Sequence, residues 1–336
     1  MQSIYLNILG FVVSAGIIIF SGSRLSTYGD RIAELTGWGK AWVGLILMAS
    51  VTSLPELITG ISSVTIINAP DLAAGDIFGS CVFNLLILSF LDARVKKPLF
   101  SIVKSSHIVA AVFGIILLTI AGLALFLAEE TPSVLWVSSF TLLIFGVYLI
   151  AVRGIFKYEQ AELIDTNTVT PSHDTATPSE LKKTVRLYVL HALIVVGAAL
   201  FLPYFGEHIA SYSGLGNSFF GTLFIAAATS LPELVVSMAA LKIGSLDIAV
   251  GNLLGSNVFN MFILGLDDVF YTSGSLFKAI APSHLLSVLV TIIMTAVVGL
   301  GLLFKPKRKQ VWLLSLDTFV IVLLYTALIT YLYLNR

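Results

Sequence analysis

Charge is what this 336-residue chain has least of: Asp, Glu, Lys and Arg make up 11% of it, against about 25% in ordinary soluble domains. With 57% hydrophobic residues and a mean hydropathy of +0.98, that shortage excludes a soluble globular protein. A formal net charge of zero removes any global electrostatic case for nucleic acid or an anionic partner. A single cysteine, Cys81, excludes an internal disulfide and any cysteine-based metal cluster. Long polar stretches are missing as well, except from Phe156 to Lys183. That stretch is too short and too polar for a folded domain and reads as a linker. The first apolar run has almost no basic flank and no convincing cleavage site, so it reads as a retained first helix.

What is abundant is apolar sequence in long runs, at 3–22, 40–66, 72–91, 105–128, 134–153, 184–206, 218–241, 246–270, 282–304 and 311–333. Runs of about 20 residues suit helices that span a bilayer, whereas barrel strands are about half as long and alternate. The linker leaves five segments in residues 1–155 and five in 184–336. Five is odd, so the second half enters the membrane with the opposite orientation. The expectation is an all-α membrane protein of ten transmembrane helices in two inverted five-helix repeats, with helices 2, 3, 7 and 8 as an ion-binding core. Placing the N-terminus outside puts seventeen of the nineteen Lys and Arg residues on the inner side. Only Lys278 and Arg336 then fall outside, beside Asp71, Glu129, Glu130, Glu207, Asp267 and Asp268. This asymmetry predicts both termini outside a cell membrane and residues 156–183 in the cytoplasm.

Inside this apolar background Thr52-Ser53-Leu54-Pro55-Glu56-Leu57 returns as Thr229-Ser230-Leu231-Pro232-Glu233-Leu234. A glutamate and a helix-breaking proline are both costly in hydrocarbon, and the pair occurs twice. A second motif follows in each half, Gly79-Ser80-Cys81-Val82-Phe83-Asn84 and Gly255-Ser256-Asn257-Val258-Phe259-Asn260. Helical spacing puts Thr52 and Ser53 on the face of Glu56, and Ser80 on the face of Asn84. The prolines are expected to free carbonyls from Ala49 to Thr52 and from Ala226 to Thr229. Hydroxyls, amide oxygens, carbonyls and two carboxylates form an all-oxygen set, which suits hard cations such as Ca²⁺ or Na⁺. Two ionised glutamates leave an empty site near a charge of −2, which is costly to carry across a low-dielectric barrier. A loaded site can therefore switch sides and an empty one cannot, which is antiport.

These residues resemble the calcium/cation antiporter superfamily, the sodium/calcium exchangers and their relatives, in a form without the regulatory domain of animal exchangers. The resemblance implies Glu56 and Glu233 as principal Ca²⁺ ligands, with the main-chain oxygens of Thr52 and Thr229. It implies that Na⁺ shares these carboxylates and uses Ser53, Ser230, Ser80, Ser256 and the carbonyls of Ala49 and Ala226. Asn84 and Asn260 then line the centre, and segments one and six slide to alternate access. The chain departs from the family pattern at Val51 and Ala228, where glycine is usual, and at Asp76, the counterpart of Asn252. Asp76 is a further site carboxylate or a helix-end residue. The function implied is exchange of Ca²⁺ for Na⁺, with no enzymatic activity, cofactor or obligate protein partner beyond the lipid bilayer. Alternatives are proton-coupled or other divalent-cation exchange on the same scaffold and, more distantly, an intramembrane enzyme. For the enzyme, neither a Gly-x-Gly-Asp nor a Gly-x-Ser-x-Gly motif is present.

Overall fold

The computed structural model describes residues 4–165, 178–201, 204–205, 208 and 225–334. Eight of its helices are long and apolar enough to cross a membrane. The expected start of the seventh segment, 218–224, lies outside the described residues, as does most of the linker. The first half comprises α1 (Ile4–Thr36), a broken second helix, α5 (Pro70–Arg94), α6 (Leu99–Ile102), α7 (His107–Phe126) and α8 (Ser139–Asp165). The broken helix consists of α2 (Lys40–Trp42), a π-helical stretch π1 (Val43–Met48), α3 (Ala49–Thr52), α4 (Leu54–Ser62) and a second π-helical stretch π2 (Ser63–Ile67). The second half comprises α9 (Pro178–Ala199), α10 (Ala226–Thr229), α11 (Leu231–Lys242), α12 (Leu246–Phe270), α13 (Leu276–Ala279), α14 (His284–Phe304) and α15 (Leu316–Leu334).

Several helices outrun the apolar windows. α1 continues from the expected 22 to Thr36, because hydropathy reads the lipid-facing half and misses the packed one. Its buried stripe holds Ser14, Ile18, Ser21, Gly22, Leu25, Ser26, Gly29, Ile32 and Ala33, at helical spacing. Its other face exposes Leu9, Val12, Val13, Ile19 and Phe20, as lipid contact requires. α8 likewise continues beyond 153 to Asp165 through Tyr-Glu-Gln-Ala-Glu, residues that sustain a helix after the hydrocarbon ends.

Packing repeats between the halves. α1 packs on α9, α5 on α12 and α7 on α14. The broken helix packs on α12, and its counterpart α10–α11 packs on α5. α8 lies on α7 and α12, and α15 lies on α14 and α5. Along the broken helix and α12, Ala41 lies by Gly251, Leu45 by Gly255 and Gly60 by Asp267, so the two run parallel. Glycine permits the approach, since a Cβ on Gly255 would collide with the Leu45 main chain.

Candidate ion-binding site

The break in the second helix is one residue wide. Ser53 sits at φ −90°, ψ 8° and Ser230 at φ −81°, ψ 5°, between short helices. Pro55 and Pro232 occupy the first turns of α4 and α11, where a missing N–H costs no helical bond. Ser-Leu-Pro-Glu reads locally as a capping box, but neither serine caps its own helix. Each hydroxyl crosses to the other half instead. Ser53 Oγ donates to Glu233 Oε1 at 2.9 Å, and Ser230 Oγ donates to Glu56 Oε1 at 3.4 Å.

Each glutamate also takes a hydroxyl from its own half, and the threonines cross between halves. Ser80 Oγ donates to Glu56 Oε1 at 3.3 Å and Ser256 Oγ to Glu233 Oε1 at 3.2 Å. Thr229 Oγ1 donates to Asp76 Oδ1 at 2.9 Å, and Thr52 Oγ1 donates to Asn252 Oδ1 at 3.2 Å. Every one of these side chains is fully buried. Asp76 is therefore inside the network, one turn before Ser80 on α5, and not at a helix end in water.

At the centre Asn84 Nδ2 donates to Asn257 Oδ1 at 3.1 Å, and Asn257 Nδ2 donates to the Cys81 carbonyl at 3.1 Å. Asn260 Nδ2 lies 3.8 Å from Cys81 Sγ. Asn257 and Asn252 are thus site residues that a search for matching positions misses, because their counterparts are Cys81 and Asp76. The signal was available in the polar stripe Asn252, Ser256, Asn260 at four-residue steps along α12.

The carbonyls show where the proline rule was too coarse. Ala49 O accepts Ser53 N–H at 3.0 Å and Thr52 Oγ1 at 3.3 Å, and Ala226 O accepts Ser230 N–H at 3.0 Å and Thr229 Oγ1 at 3.2 Å. These two are engaged rather than freed.

Donors do not satisfy this site. Glu56 Oε2, Glu233 Oε2, Asp76 Oδ2, Asn84 Oδ1 and Asn260 Oδ1 are buried with no hydrogen-bond partner. Among the described residues, all ion pairs form elsewhere, so no Lys, Arg or His neutralises the three acids. No group of three His, Cys, Asp or Glu side chains forms a compact metal cage among the described residues. Any cation held here draws on hydroxyl, amide and main-chain oxygens as well. Buried acceptors without donors cost several kcal/mol each when charged, and cations relieve that cost.

Asp267 and Asp268, expected in an outer loop, lie within α12 and are fully buried. Asp268 Oδ2 accepts the Ser138 N–H at 2.8 Å and Thr141 Oγ1, and Oδ1 accepts the Leu276 N–H at 2.6 Å. Its counterpart Asp92 repeats this atom for atom, with Ser315 N–H at 2.8 Å, Thr318 Oγ1 at 2.7 Å and Leu99 N–H at 2.7 Å. Hydropathy places an acid in water, whereas here the chain folds back over each one and supplies its donors.

Comparison with known proteins agrees with this arrangement. The chain is 28% identical over 251 residues to an uncharacterized membrane protein of Methanocaldococcus jannaschii, covering 74% of this chain and 77% of that one. It is 33% identical over 138 residues to the sodium/calcium exchanger MaX1 of Methanosarcina acetivorans, covering 40% and 38% of the two. Its fold superposes on the solved sodium-calcium exchanger NCX_Mj with a TM-score of 0.75, covering 98% and 99%, at 21% identity. The family model described as sodium/calcium exchanger protein matches residues 6–153 and 182–335. Because that match runs through both copies of the motif and both halves of the site, the chain belongs to the sodium/calcium exchanger protein family, whose members are transporters rather than enzymes.

Proposed function

We propose that the protein is an antiporter exchanging Ca²⁺ for Na⁺ across a cell membrane by alternating access. The observation that carries this reading is the two-fold network in which each half's serine and threonine hydroxyls hold the other half's acceptor, while the outward oxygens of three acids stay unpartnered. In this reading Glu56 and Glu233 bind Ca²⁺ with the main-chain oxygens of Thr52 and Thr229. Na⁺ uses the same carboxylates with Ser53, Ser230, Ser80 and Ser256, and Asn84 and Asn260 face the ions. Asp76 adds a third negative charge. The carbonyls of Ala49 and Ala226 join the set through the lone pair left beside the Ser53 and Ser230 N–H groups, with the threonine protons on Asn252 and Asp76. One divalent ion leaves part of this charge unbalanced, whereas several monovalent ions balance it, which favours competition over co-occupancy.

Access alternates as α1 and α9 slide over the core. They pack together on one side of it, and few polar bonds tie them down. Ser26 Oγ donates to Val236 O at 2.7 Å and Tyr188 Oη to Leu47 O at 2.8 Å, and further along α1 Asp30 pairs with Lys40 at 2.6 Å and accepts from Ser245 Oγ. The two halves, 1–155 and 184–336, are inverted repeats, with 156–183 cytoplasmic and both termini outside. The test is Ca²⁺ uptake into vesicles loaded with Na⁺. Uptake that follows an outward Na⁺ gradient supports the reading. Uptake that ignores Na⁺ and follows an imposed pH gradient replaces it with proton-coupled exchange.

A further inference from the structure

The polar stripe of α12 does not end at Asn260. Two turns further along the same face stands Asp267, about 10 Å away along the axis at 1.5 Å per residue. It is fully buried, and neither carboxylate oxygen has a partner. Among the described residues it is the only buried acid of which that is true, since Glu56, Asp76, Glu159, Glu233 and Asp317 each leave one oxygen free. The neighbouring Asp268 makes the contrast plain, because its oxygens receive two backbone N–H groups and a hydroxyl.

The Asp267 carboxylate lies against Gly60 of the broken helix. A Cβ built on Gly60 would come within 2.5 Å of Oδ2 and 2.6 Å of Oδ1. Gly60 is one turn beyond Glu56 on α4, and three residues later π2 begins. π-Helical turns disturb the hydrogen-bond ladder and occur often at functional sites. The other half has nothing like this acid. Leu91 stands at the position matching Asp267, and Ser237, matching Gly60, bonds to the Ala249 carbonyl at 3.3 Å.

We propose that Asp267, beside Gly60, holds a monovalent cation at a second site about 10 Å along α12 from Asn260. A lone buried carboxylate without donors needs a counter-charge. One monovalent ion neutralises it, while a divalent ion leaves an excess positive charge in the same low-dielectric place. The identification of the ion as Na⁺ rests on the exchange reading, but the existence of the site does not.

The experiment is equilibrium ²²Na⁺ binding to the purified full Asp76→Asn chain carrying Glu56→Gln and Glu233→Gln, which together neutralise the three central acids. The expected result is one residual saturable Na⁺ per chain, lost when Asp267→Asn is added. Gly60→Ala in the same background is expected to weaken it about tenfold by pressing a methyl on the carboxylate. No residual Na⁺ in the folded triple variant, or residual Na⁺ that survives both added changes, overturns the proposal and leaves Asp267 a neutral structural acid. If Asp267→Asn fails to fold, Gly60→Ala decides by the same readout. Wild-type vesicles without Na⁺-driven Ca²⁺ uptake would refute the exchange reading separately, because the binding assay needs no transport.

Discussion

The two halves of the molecule agree around the two glutamates and differ at a few neighbouring positions. Glu56 and Glu233 receive the same hydroxyls from the same positions, and Asp92 and Asp268 receive the same three donors. Against that background Asp76 replaces Asn252, and the pair Gly60 with Asp267 replaces Ser237 with Leu91. In the shared features Glu56 and Glu233 each draw one hydroxyl from their own half and one from the other. Two of the unshared features add acid, Asp76 with one donor from Thr229 and Asp267 with none, and a third sets Asn257 against Cys81. Symmetry builds the site, and asymmetry makes its two halves inequivalent.

The largest expected effect breaks the shared part. Glu56→Gln and Glu233→Gln should each lower Na⁺-driven Ca²⁺ uptake by about two orders of magnitude or more, with thermal unfolding in detergent unchanged or delayed. A variant with one of these changes that still transports would end the equivalence of the halves. Next comes the structural pair. Asp92→Ala and Asp268→Ala each strand buried backbone donors at about 1–3 kcal/mol apiece, so both should lower the unfolding temperature by similar amounts.

A smaller effect sharpens the difference between the halves. Asp76→Asn makes the two positions identical and should weaken Ca²⁺ about tenfold in a competition titration. Unchanged affinity would remove Asp76 from the ligand set. The smallest concerns the sliding helices. Ser26→Ala and Tyr188→Phe each delete one tie worth about 1 kcal/mol. They should shift the balance between inward and outward access by about fivefold, read from the sidedness of labelling by a membrane-impermeant reagent.

Much of the site was legible because its chemistry is anomalous in a membrane. A proline beside a glutamate, twice, has few explanations in lipid, and Ser80, Ser256, Asn84 and Asn260 follow at helical spacing. What was not legible is which half each group serves. Ser53 looks like a cap for its own helix, and only the structure reveals its bond to Glu233, 180 residues on. Asp267 reads as a loop residue because acids near segment ends usually reach water, and here α13 and the 133–138 hairpin, from Ser133–Val134 and Val137–Ser138, close over that end.

The sequence by itself determined the membrane, the duplication and the oxygen-only character of the site, because composition and spacing along one helix are local properties. The tertiary structure alone decided the crossing of serines between halves, the engagement of the Ala49 and Ala226 carbonyls, and the isolation of Asp267. Those depend on which surfaces meet and on how closely glycine lets them approach, and a one-dimensional pattern does not record either.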